Sequence, residues 1–461
     1  MVREVWRNAG WGLCCGLLLT GCASPARKLA EYPSAEAAVF PALAADSDSP
    51  GAQWWHGFAD DQLAQLIEQG LGGNLSLRGA WYRLEQSGYA LRAMQAARFP
   101  QLTLQGAAGQ QRQVLRDGDA ESSDVWRVSA ALSYELDLWR RISASVSGAE
   151  YRFDAVMMDY EAMAISMAAA IADAWLDVQE RMASVALLET QLEAARSALR
   201  AVERRFREGL GELLDVYQQR ELVAGLESLL PGAKVAQELS VERLAVLLGI
   251  APDELVVAPD GNLPDPIDLP RDILWADHVL LRPDVRAAWL RLQAAEQDEL
   301  FAARARLPML QLVAQARTQE EQPGDLFDEV TGDALVQVSF PLFDGGRLRA
   351  EARRIEAVAN ERLQAYRETE LQALREIRES LLQDAAQAET IARLADELAA
   401  ARRTLELSRE RYRNGLVEYL NVLAAQQRVQ QLERGLLRAH RQRLVYQLQF
   451  ARATAGAGIR R

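Results

Sequence analysis

One cysteine of this 461-residue chain stands in a sequence that predicts covalent modification. Arg3 and Arg7 precede a short apolar run over 11–19, and the run ends in Leu-Thr-Gly-Cys at 19–22. That order is typical of a secretory signal with a lipoprotein cleavage box, which leaves an N-terminal cysteine for acylation. The run is too short for a transmembrane helix, which needs about 20 apolar residues. We therefore predict cleavage before Cys22, with S-diacylglycerol and N-acyl groups on that residue; an ordinary signal with a chance cysteine is the alternative.

The other reactive residues form no catalytic or ligand pattern. Cys14 and Cys15 leave with the signal, so the mature chain has no second cysteine for a disulfide or a metal site. The three histidines, His56, His278 and His440, are far apart, and no GxSxG, HExxH or phosphate-binding glycine loop occurs. Loss of the signal takes the net charge from −13 to −14, which disfavours nucleic acid as a partner. The sequence therefore predicts no enzyme, no metal site and no cofactor beyond the acyl groups.

The chain consists of two copies of one unit. The segment 205–216 reads RFREGLGELLDV, and 206 positions later the segment 411–422 reads RYRNGLVEYLNV. At the same offset, SYELDLWRR at 133–141 matches SFPLFDGGR at 339–347. This period is far longer than the 20–50 residues of solenoid repeats. The predicted units are a signal peptide at 1–21, a lipid anchor and linker at 22–51, a first repeat at 52–250, an equatorial connector at 251–281, a second repeat at 282–455 and a tail at 456–461.

Each repeat is predicted to contain a long helical hairpin. No proline occurs over 142–207, a stretch that would extend about 100 Å as a helix. Its apolar positions over 185–206 step by three and four, as in a left-handed coiled coil, and the pattern recurs in the second repeat. Gly209 and Gly415 follow the long helices as left-handed caps. We predict hairpins at 142–249 and 347–454, with helices at 75–98 and 282–306 stacked on the returning arms. Pro231 is expected to kink or break the first return helix.

Two pairs of strands are predicted between these helices, at about 99–112, 125–137, 307–318 and 333–343. From Trp126 to Leu136, apolar residues alternate with polar or small ones. Such strands fit a transmembrane barrel with the acidic loops at 113–124 and 319–333 outside the cell; a soluble antiparallel sheet resting on a core has the same pattern. Four strands cannot close a barrel in lipid, so several chains must combine. The pattern itself does not fix their number.

Together these segments resemble the TolC/OprM outer membrane factors, in the NodT-like lipoprotein branch that serves multidrug pumps. The resemblance rests on WWHGFADDQLAQLIEQGL at 54–71, SYELDLWRRI at 133–142, PLFDGGRLRA at 341–350 and the two glycine tips. It implies a mixed α+β membrane protein: a homotrimer whose 12-stranded β-barrel continues into a periplasmic α-helical barrel. The function implied is a passive exit duct for small molecules, with a periplasmic adaptor and an inner-membrane RND-type transporter as partners. The implied location is the outer membrane of a Gram-negative bacterium, and Ala23 agrees, since lipoproteins kept in the inner membrane usually have aspartate there.

The resemblance also implies a gate at the hairpin tips. The gate candidates are Asp215, Tyr217, Tyr419, Leu420 and Asn421. The candidates for adaptor contact are Gly209, Leu210, Gly415 and Leu416. Many relatives have an acid where this chain has Ala424, which favours Leu420 as the constriction. Arginines at 205, 207, 220, 411, 413 and 428 cluster around the tips and could pair with Asp215, Glu208 or Glu418.

Two other functions are consistent with parts of this sequence. One is the exit duct of a type I protein secretion system, which the lipoprotein signal disfavours because typical ducts of that kind lack the acyl anchor. The other is a non-conducting structural lipoprotein whose coiled coils bridge the envelope layers. Such a spacer has no use for four amphipathic strands. The exported compounds are not named by the sequence, because selectivity resides in the pump.

Overall fold

A computed structural model describes residues 54–114, 120–257, 259–270 and 275–456. The predicted signal peptide, Cys22 and the linker lie outside the described residues, as does the tail after 456. The first repeat comprises α1 (Asp61–Gly73), α2 (Leu75–Gln95), β1 (Gln101–Val114), β2 (Ala120–Leu136), α3 (Arg141–Arg207) and α4 (Leu213–Leu248). The second comprises α5 (Trp275–Leu281), α6 (Pro283–Arg304), β3 (Met309–Glu320), β4 (Thr331–Ser339), α7 (Arg347–Arg413) and α8 (Tyr419–Ala453). The long helices α3 and α7 have 67 residues each and start 206 positions apart.

The helices form four adjacent columns, and two of the columns consist of stacked shorter helices. Helix α3 packs between α2 and α6 in one half of its length and between α4 and α8 in the other, while α7 packs against α6 and α8. Asn74 caps α2 through Ser76 N and Leu77 N, and its Nδ2 donates to Leu247 O at 2.8 Å, which seats α2 on the end of α4. Arg282 similarly joins the start of α6 to the end of α8. The protomer therefore ends at α2 and α4 on one side and at α7 on the other.

Helix α4 is not broken at Pro231, contrary to a break expected from the sequence. It runs without interruption from Leu213 to Leu248. Pro231 and Gly232 are not buried, so water can reach the carbonyl that loses its helical N–H partner. Helices α1 and α5 were not predicted.

Half of the buried apolar side chains in the described residues lie where the stacked helices meet. This equatorial core contains Ile171 and Trp175 of α3, Leu244 of α4, and the 3₁₀ turn Trp54–Phe58. Among the described helices, only α3 is long and apolar enough to cross a bilayer by composition. At about 100 Å it is some three times the thickness of a bilayer core. Its fully buried Ile171 and Trp175 belong to the equatorial core.

Two smaller clusters follow the predicted coiled-coil seams toward the hairpin tips. In α3 the seam buries Leu188, Leu192 and Ala195, and in α7 it buries Leu398 and Leu405. These side chains hold each long helix against its return helix over the half furthest from the sheet.

The four strands form one antiparallel sheet in the order β1-β2-β3-β4. The register places Leu102, Leu132, Ala314 and Ala334 in one cross-strand row. The next row contains Thr103, Ala131, Gln315 and Asp333. Because side chains alternate between faces, one face of the sheet is apolar and the other is polar or small.

The strand bounds differ from the predicted ones by up to five residues. Strand β2 begins at Ala120 rather than at 125. Strand β3 begins at Met309 and β4 ends at Ser339, and the prolines at 308 and 341 lie just outside them. Proline has no N–H to donate to the sheet, so the pairing stops before it.

Equivalent turns connect the sheet to the long helices. Asp137 caps α3 by accepting from Ile142 N at 2.9 Å and Ser143 N at 2.7 Å, and Asp344 accepts from Leu348 N near the start of α7. The residue before each helix is in the left-handed region, with φ 56° at Arg140 and φ 87° at its counterpart Gly346. Arg140 thus adopts a conformation that favours glycine.

Candidate functional site at the hairpin tips

The two hairpin tips have the same backbone structure. Gly209 and Gly415 take φ values of 74° and 72°. The following N–H groups, of Leu210 and Leu416, donate to Arg205 O at 2.8 Å and to Arg411 O at 2.9 Å. This is a Schellman cap, which needs a residue with positive φ and so favours glycine. Both leucines are exposed.

Side chains from the two hairpins bind each other just above the tips. The Tyr412 hydroxyl of α7 donates to Asp215 Oδ2 of α4 at 2.8 Å. The Arg205 guanidinium lies over the Tyr412 ring, 5.0 Å from its centroid, and donates to Arg413 O at 3.4 Å and Leu210 O at 3.2 Å. We call this set, Tyr412, Asp215 and Arg205, the outer contact.

A second contact lies next to it in the interior. The Tyr419 hydroxyl of α8 donates to Gln219 Oε1 of α4 at 2.6 Å. Gln219 Nε2 donates in turn to Ala195 O of α3 at 2.8 Å. The rings of Tyr412 and Tyr419 are 5.0 Å apart at 58°. Gln219 is 0% exposed and Tyr419 is 3% exposed. We call this set, Tyr419, Gln219 and Ala195, the inner contact.

Both tyrosines remain neutral donors at physiological pH. Burial raises the pKa of Tyr412 to about 12, and the hydrogen bond and negative charge of Asp215 act in the same direction. The pKa of Tyr419 is also raised, chiefly by burial. Each hydroxyl can therefore hold its acceptor over the whole pH range of living cells.

The remaining gate candidates point away from these contacts. Leu420 is 53% exposed, and the exposed Tyr217 ring lies 5.7 Å from the Arg220 guanidinium. Asn421 is exposed and donates to Glu418 O at 3.4 Å. The structure thus brings Asp215 and Tyr419 into inter-hairpin contacts and leaves Tyr217, Leu420 and Asn421 on the protomer surface.

Arg205, Arg220 and Arg428 do not form the ion pairs with Asp215, Glu208 or Glu418 that the sequence allows. Arg205 donates to backbone carbonyls, Arg220 pairs with Glu203 at 2.8 Å, and Arg428 pairs with Glu397. The position of each arginine explains its choice of partner. Arg220 and Arg428 lie on the return helices, and Glu203 and Glu397 lie opposite them on the long helices, one or more turns above the tip. Asp215 accepts a tyrosine hydroxyl instead.

Sequence reasoning missed Tyr412 and Gln219 as members of this site. The sequence marks Tyr412 only as a seam position, and a glutamine in a polar tip carries no signal of its own. Among the described residues, no group of three or more histidine, cysteine or acidic side chains is arranged to hold a metal ion.

An amphipathic four-stranded sheet that continues into helical hairpins whose long arms have 67 residues defines the class of outer membrane channel proteins with a periplasmic tunnel. The outer membrane efflux protein family model matches residues 66–250 and 278–456, and the chain belongs to this family. This membership confirms the resemblance drawn from the sequence and places the protein in the outer membrane.

Relatives and solved structures agree over most of the chain. It is 28% identical over 402 residues to the pyoverdine export outer membrane protein OpmQ of Pseudomonas putida, covering 83% of each chain. It is 27% identical over 413 residues to the solvent efflux pump outer membrane protein SrpC of Pseudomonas putida, covering 87% of this chain and 86% of the relative. The outer-membrane channel OprN superposes with a TM-score of 0.82 at 26% identity, over 87% of this chain and 92% of OprN. The outer membrane protein VceC of Vibrio cholerae gives 0.79 at 26%, over 89% and 99%.

Proposed function

We propose that the protein is the passive exit duct of a tripartite efflux pump, in which three copies form one barrel and one tunnel. The observation that carries the proposal is the continuity of an amphipathic, open-edged sheet with hairpins about 100 Å long. A duct of this shape needs no catalytic group. Small molecules would enter from the periplasmic end and leave through the barrel.

The apolar face of the sheet has the height expected of a membrane-spanning band. On β2 it runs from Trp126 to Leu136, ten residue-to-residue steps or about 33 Å along the strand. With a strand tilt of about 40°, this corresponds to about 25 Å across the membrane. Above Trp126 the same face becomes polar, where Gln110 Nε2 donates to Asp124 Oδ1 at 3.0 Å.

The open edges of the protomer are the reason for proposing a trimer. Strands β1 and β4 each pair with one neighbour only in the described part of the chain, and unpaired backbone groups are not tolerated in lipid. Pairing β4 of one copy with β1 of the next satisfies both edges. The same arrangement brings the largely exposed α7 of one copy against α2 and α4 of the next. Three copies give 12 strands, the number that the family resemblance implies.

The hairpin tips are the proposed gate. The outer contact ties the second hairpin to the first through Tyr412 and Asp215, with Arg205 bracing both. While these bonds hold, three copies of the exposed Leu420 would form the constriction. Gly209, Leu210, Gly415 and Leu416 would meet the periplasmic adaptor, which in turn would connect the duct to an inner-membrane RND-type transporter.

The membrane anchor and the cargo complete the proposal. Acylation of Cys22 would attach the chain to the outer membrane lipid, and a Cys22→Ala variant should lose the acyl mass on the mature protein by mass spectrometry. Relatives are named for pyoverdine export and for solvent or toluene efflux. We propose small organic molecules as the cargo class here.

Two measurements on the full-length protein test this function. The purified trimer in a planar bilayer should give discrete, uniform conductance steps. A photo-crosslinker at Leu416 in living cells should capture a periplasmic adaptor encoded with an RND-type pump. Absence of conductance would favour the structural lipoprotein instead, and capture of a secretion-system adaptor would favour the type I secretion duct.

A further inference from the structure

We propose that Gln219 is the hub of a second, water-excluded latch, which keeps the tunnel closed independently of the outer contact. This inference rests on the proposed function as a gated duct. It assigns the inner contact a role in gating and predicts which of its two hydrogen bonds breaks when the hairpins separate.

The geometry of the inner contact is that of a fixed acceptor and a mobile donor. Gln219 Nε2 is bonded to Ala195 O of α3 at 2.8 Å, so its amide is held by the other arm of its own hairpin. Its Oε1 is left to accept from the Tyr419 hydroxyl of the second hairpin at 2.6 Å. Separation of the two hairpins breaks only the second of these bonds. Gln219 therefore stays with the first hairpin, and Tyr419 leaves with the second.

In both contacts the second repeat supplies the hydrogen-bond donor and the first repeat supplies the acceptor. At four equivalent tip positions the second repeat supplies both tyrosine hydroxyls, and the first repeat supplies both acceptors that bind them. The equivalent pairs, with the first-repeat residue named first, are Phe206 and Tyr412, Leu213 and Tyr419, Asp215 and Asn421, and Gln219 and Ala425. Neither hairpin could form these two bonds with an identical copy of itself. This division is expected of contacts that act between the hairpins rather than within each one.

The inner and outer contacts respond differently to solvent. The outer contact contains a half-buried carboxylate and a guanidinium on a surface that water and ions reach, so salt weakens it. The inner contact joins a neutral phenol to a neutral amide, and both are buried. The charged or titratable groups that act on Tyr419 are Tyr412 and Arg409 of α7 and Asp215 of α4, and none of them bonds to Gln219 Oε1.

Breaking the inner contact therefore has a cost that breaking the outer contact does not have. Once Tyr419 withdraws, the Gln219 oxygen lies unpaired on a buried face of α4, between the buried residues Val216 and Val223. An unsatisfied buried acceptor is costly until water replaces the lost donor. The inner latch thus resists opening until the seam between the hairpins becomes hydrated.

Single-channel recording of the full-length trimer tests the latch with tyrosine-to-phenylalanine variants, which remove one hydroxyl and keep the ring. Tyr412→Phe and Tyr419→Phe should each raise the open probability about five- to tenfold, as expected for a lost hydrogen bond. Tyr446→Phe, on the same helix as Tyr419 but far from the tip, is the matched control and should match the wild type. Raising KCl from about 0.1 to about 1 M should increase the open probability of Tyr419→Phe, which retains the salt-sensitive outer contact. It should change that of Tyr412→Phe less than about twofold, because the inner contact is neutral and buried.

Substitution of Gln219 separates gating from folding. In a Gln219→Glu variant the protonated carboxyl can still donate to Ala195 O and accept from Tyr419. The ionised carboxylate can still accept from Tyr419, but it cannot donate to Ala195 O, and its buried charge is stabilised by the water that enters the seam on opening. Because burial raises the pKa of a carboxyl, Gln219→Glu should keep the channel as closed as the wild type at about pH 5 and open it about tenfold more often at about pH 8. Gln219→Leu should be open at both values.

Three outcomes distinguish this inference from the function on which it rests. If Tyr419→Phe and Gln219→Leu conduct like the wild type while Tyr412→Phe opens, the inner latch is refuted and the duct stands. If Gln219→Leu lowers the melting temperature without altering gating, Gln219 is only structural and the latch is again refuted. If the wild type gives no conductance at all, the proposed function itself fails.

Discussion

Replacement of Arg282 by leucine tests the junction at which α6 stands on α8. The Arg282 side chain is 9% exposed and makes two bonds to Asp284, of 3.0 Å from Nε and 2.7 Å from Nη2. It also donates to Glu376 Oε2 of α7 at 2.9 Å and to Ala453 O of α8 at 3.1 Å. A single guanidinium thus ties together the ends or flanks of three helices at the equator.

The expected destabilisation follows from what the leucine leaves behind. Removing one partner of a buried ion pair costs about 3–5 kcal/mol, because the remaining charges lose their counter-ion. Asp284 and Glu376 keep 40% and 30% of their side-chain surface exposed. Because water can therefore solvate the two unpaired carboxylates, we expect a destabilisation at the lower end of this range. About 3 kcal/mol corresponds to a fall of about 4 °C in melting temperature for a protomer of about 400 ordered residues.

Scanning calorimetry of the detergent-solubilised trimer measures this change. The matched control is Arg200→Leu, which breaks the exposed ion pair with Glu193 on α3 and should shift the melting temperature by less than about 1 °C. Arg282→Lys should lie between the two, because an ammonium cannot bind Asp284 in the two-bond geometry. A melting temperature of Arg282→Leu within about 1 °C of the wild type would refute the reasoning.

Three further predictions address the gate, a strained turn and acid stability. Leu420→Ala should raise the passive entry of large antibiotics, and unchanged sensitivity at normal expression would exclude Leu420 as the constriction. Arg140→Gly should stabilise the protein by about 0.5–1 kcal/mol, because glycine removes the cost of the left-handed conformation that Gly346 avoids in the second repeat, while Arg140→Ala should not, as denaturant titration can show. Burial alone would raise the pKa of Asp284, but Arg282 holds it below its usual range. The stability that Asp284 contributes is therefore present above its unfolded pKa of about 3.9 and is lost as the pH falls through the folded value, so Arg282→Leu should lose less stability than the wild type on acidification.

The periodic parts of the fold were predictable because their patterns are long. Sixty-seven residues without proline, the seam of apolar residues and the glycine after each long helix define the hairpins. Helix α1 was missed because Leu63, Leu66, Ile67 and Leu71 resemble any short apolar run, and only the equatorial core beside it gives that run a partner.

The contacts between the hairpin tips were harder to predict because their bonds join residues about 200 positions apart. Asp215 and Tyr419 were recognised by resemblance, but charge attraction favoured arginines as partners and the structure supplies hydroxyls instead. A comparison of the two repeats would have revealed more. Gln219 stands where its counterpart is Ala425, and such a mismatch between otherwise similar halves marks a place where the two hairpins have different roles.

The length of α3 and α7 gives the tips a mechanical advantage. Each helix acts as a rigid rod of about 100 Å, so a rotation of about 3° at the membrane end displaces the free end by about 5 Å. The aperture can therefore widen by more than the diameter of a water molecule while the packing near the pivot hardly changes. A restraint at the far end of such a rod opposes the greatest torque for a given force, so a few side-chain bonds near the tips would be enough to keep the proposed gate closed. The same restraint at the equator would need to be much stronger.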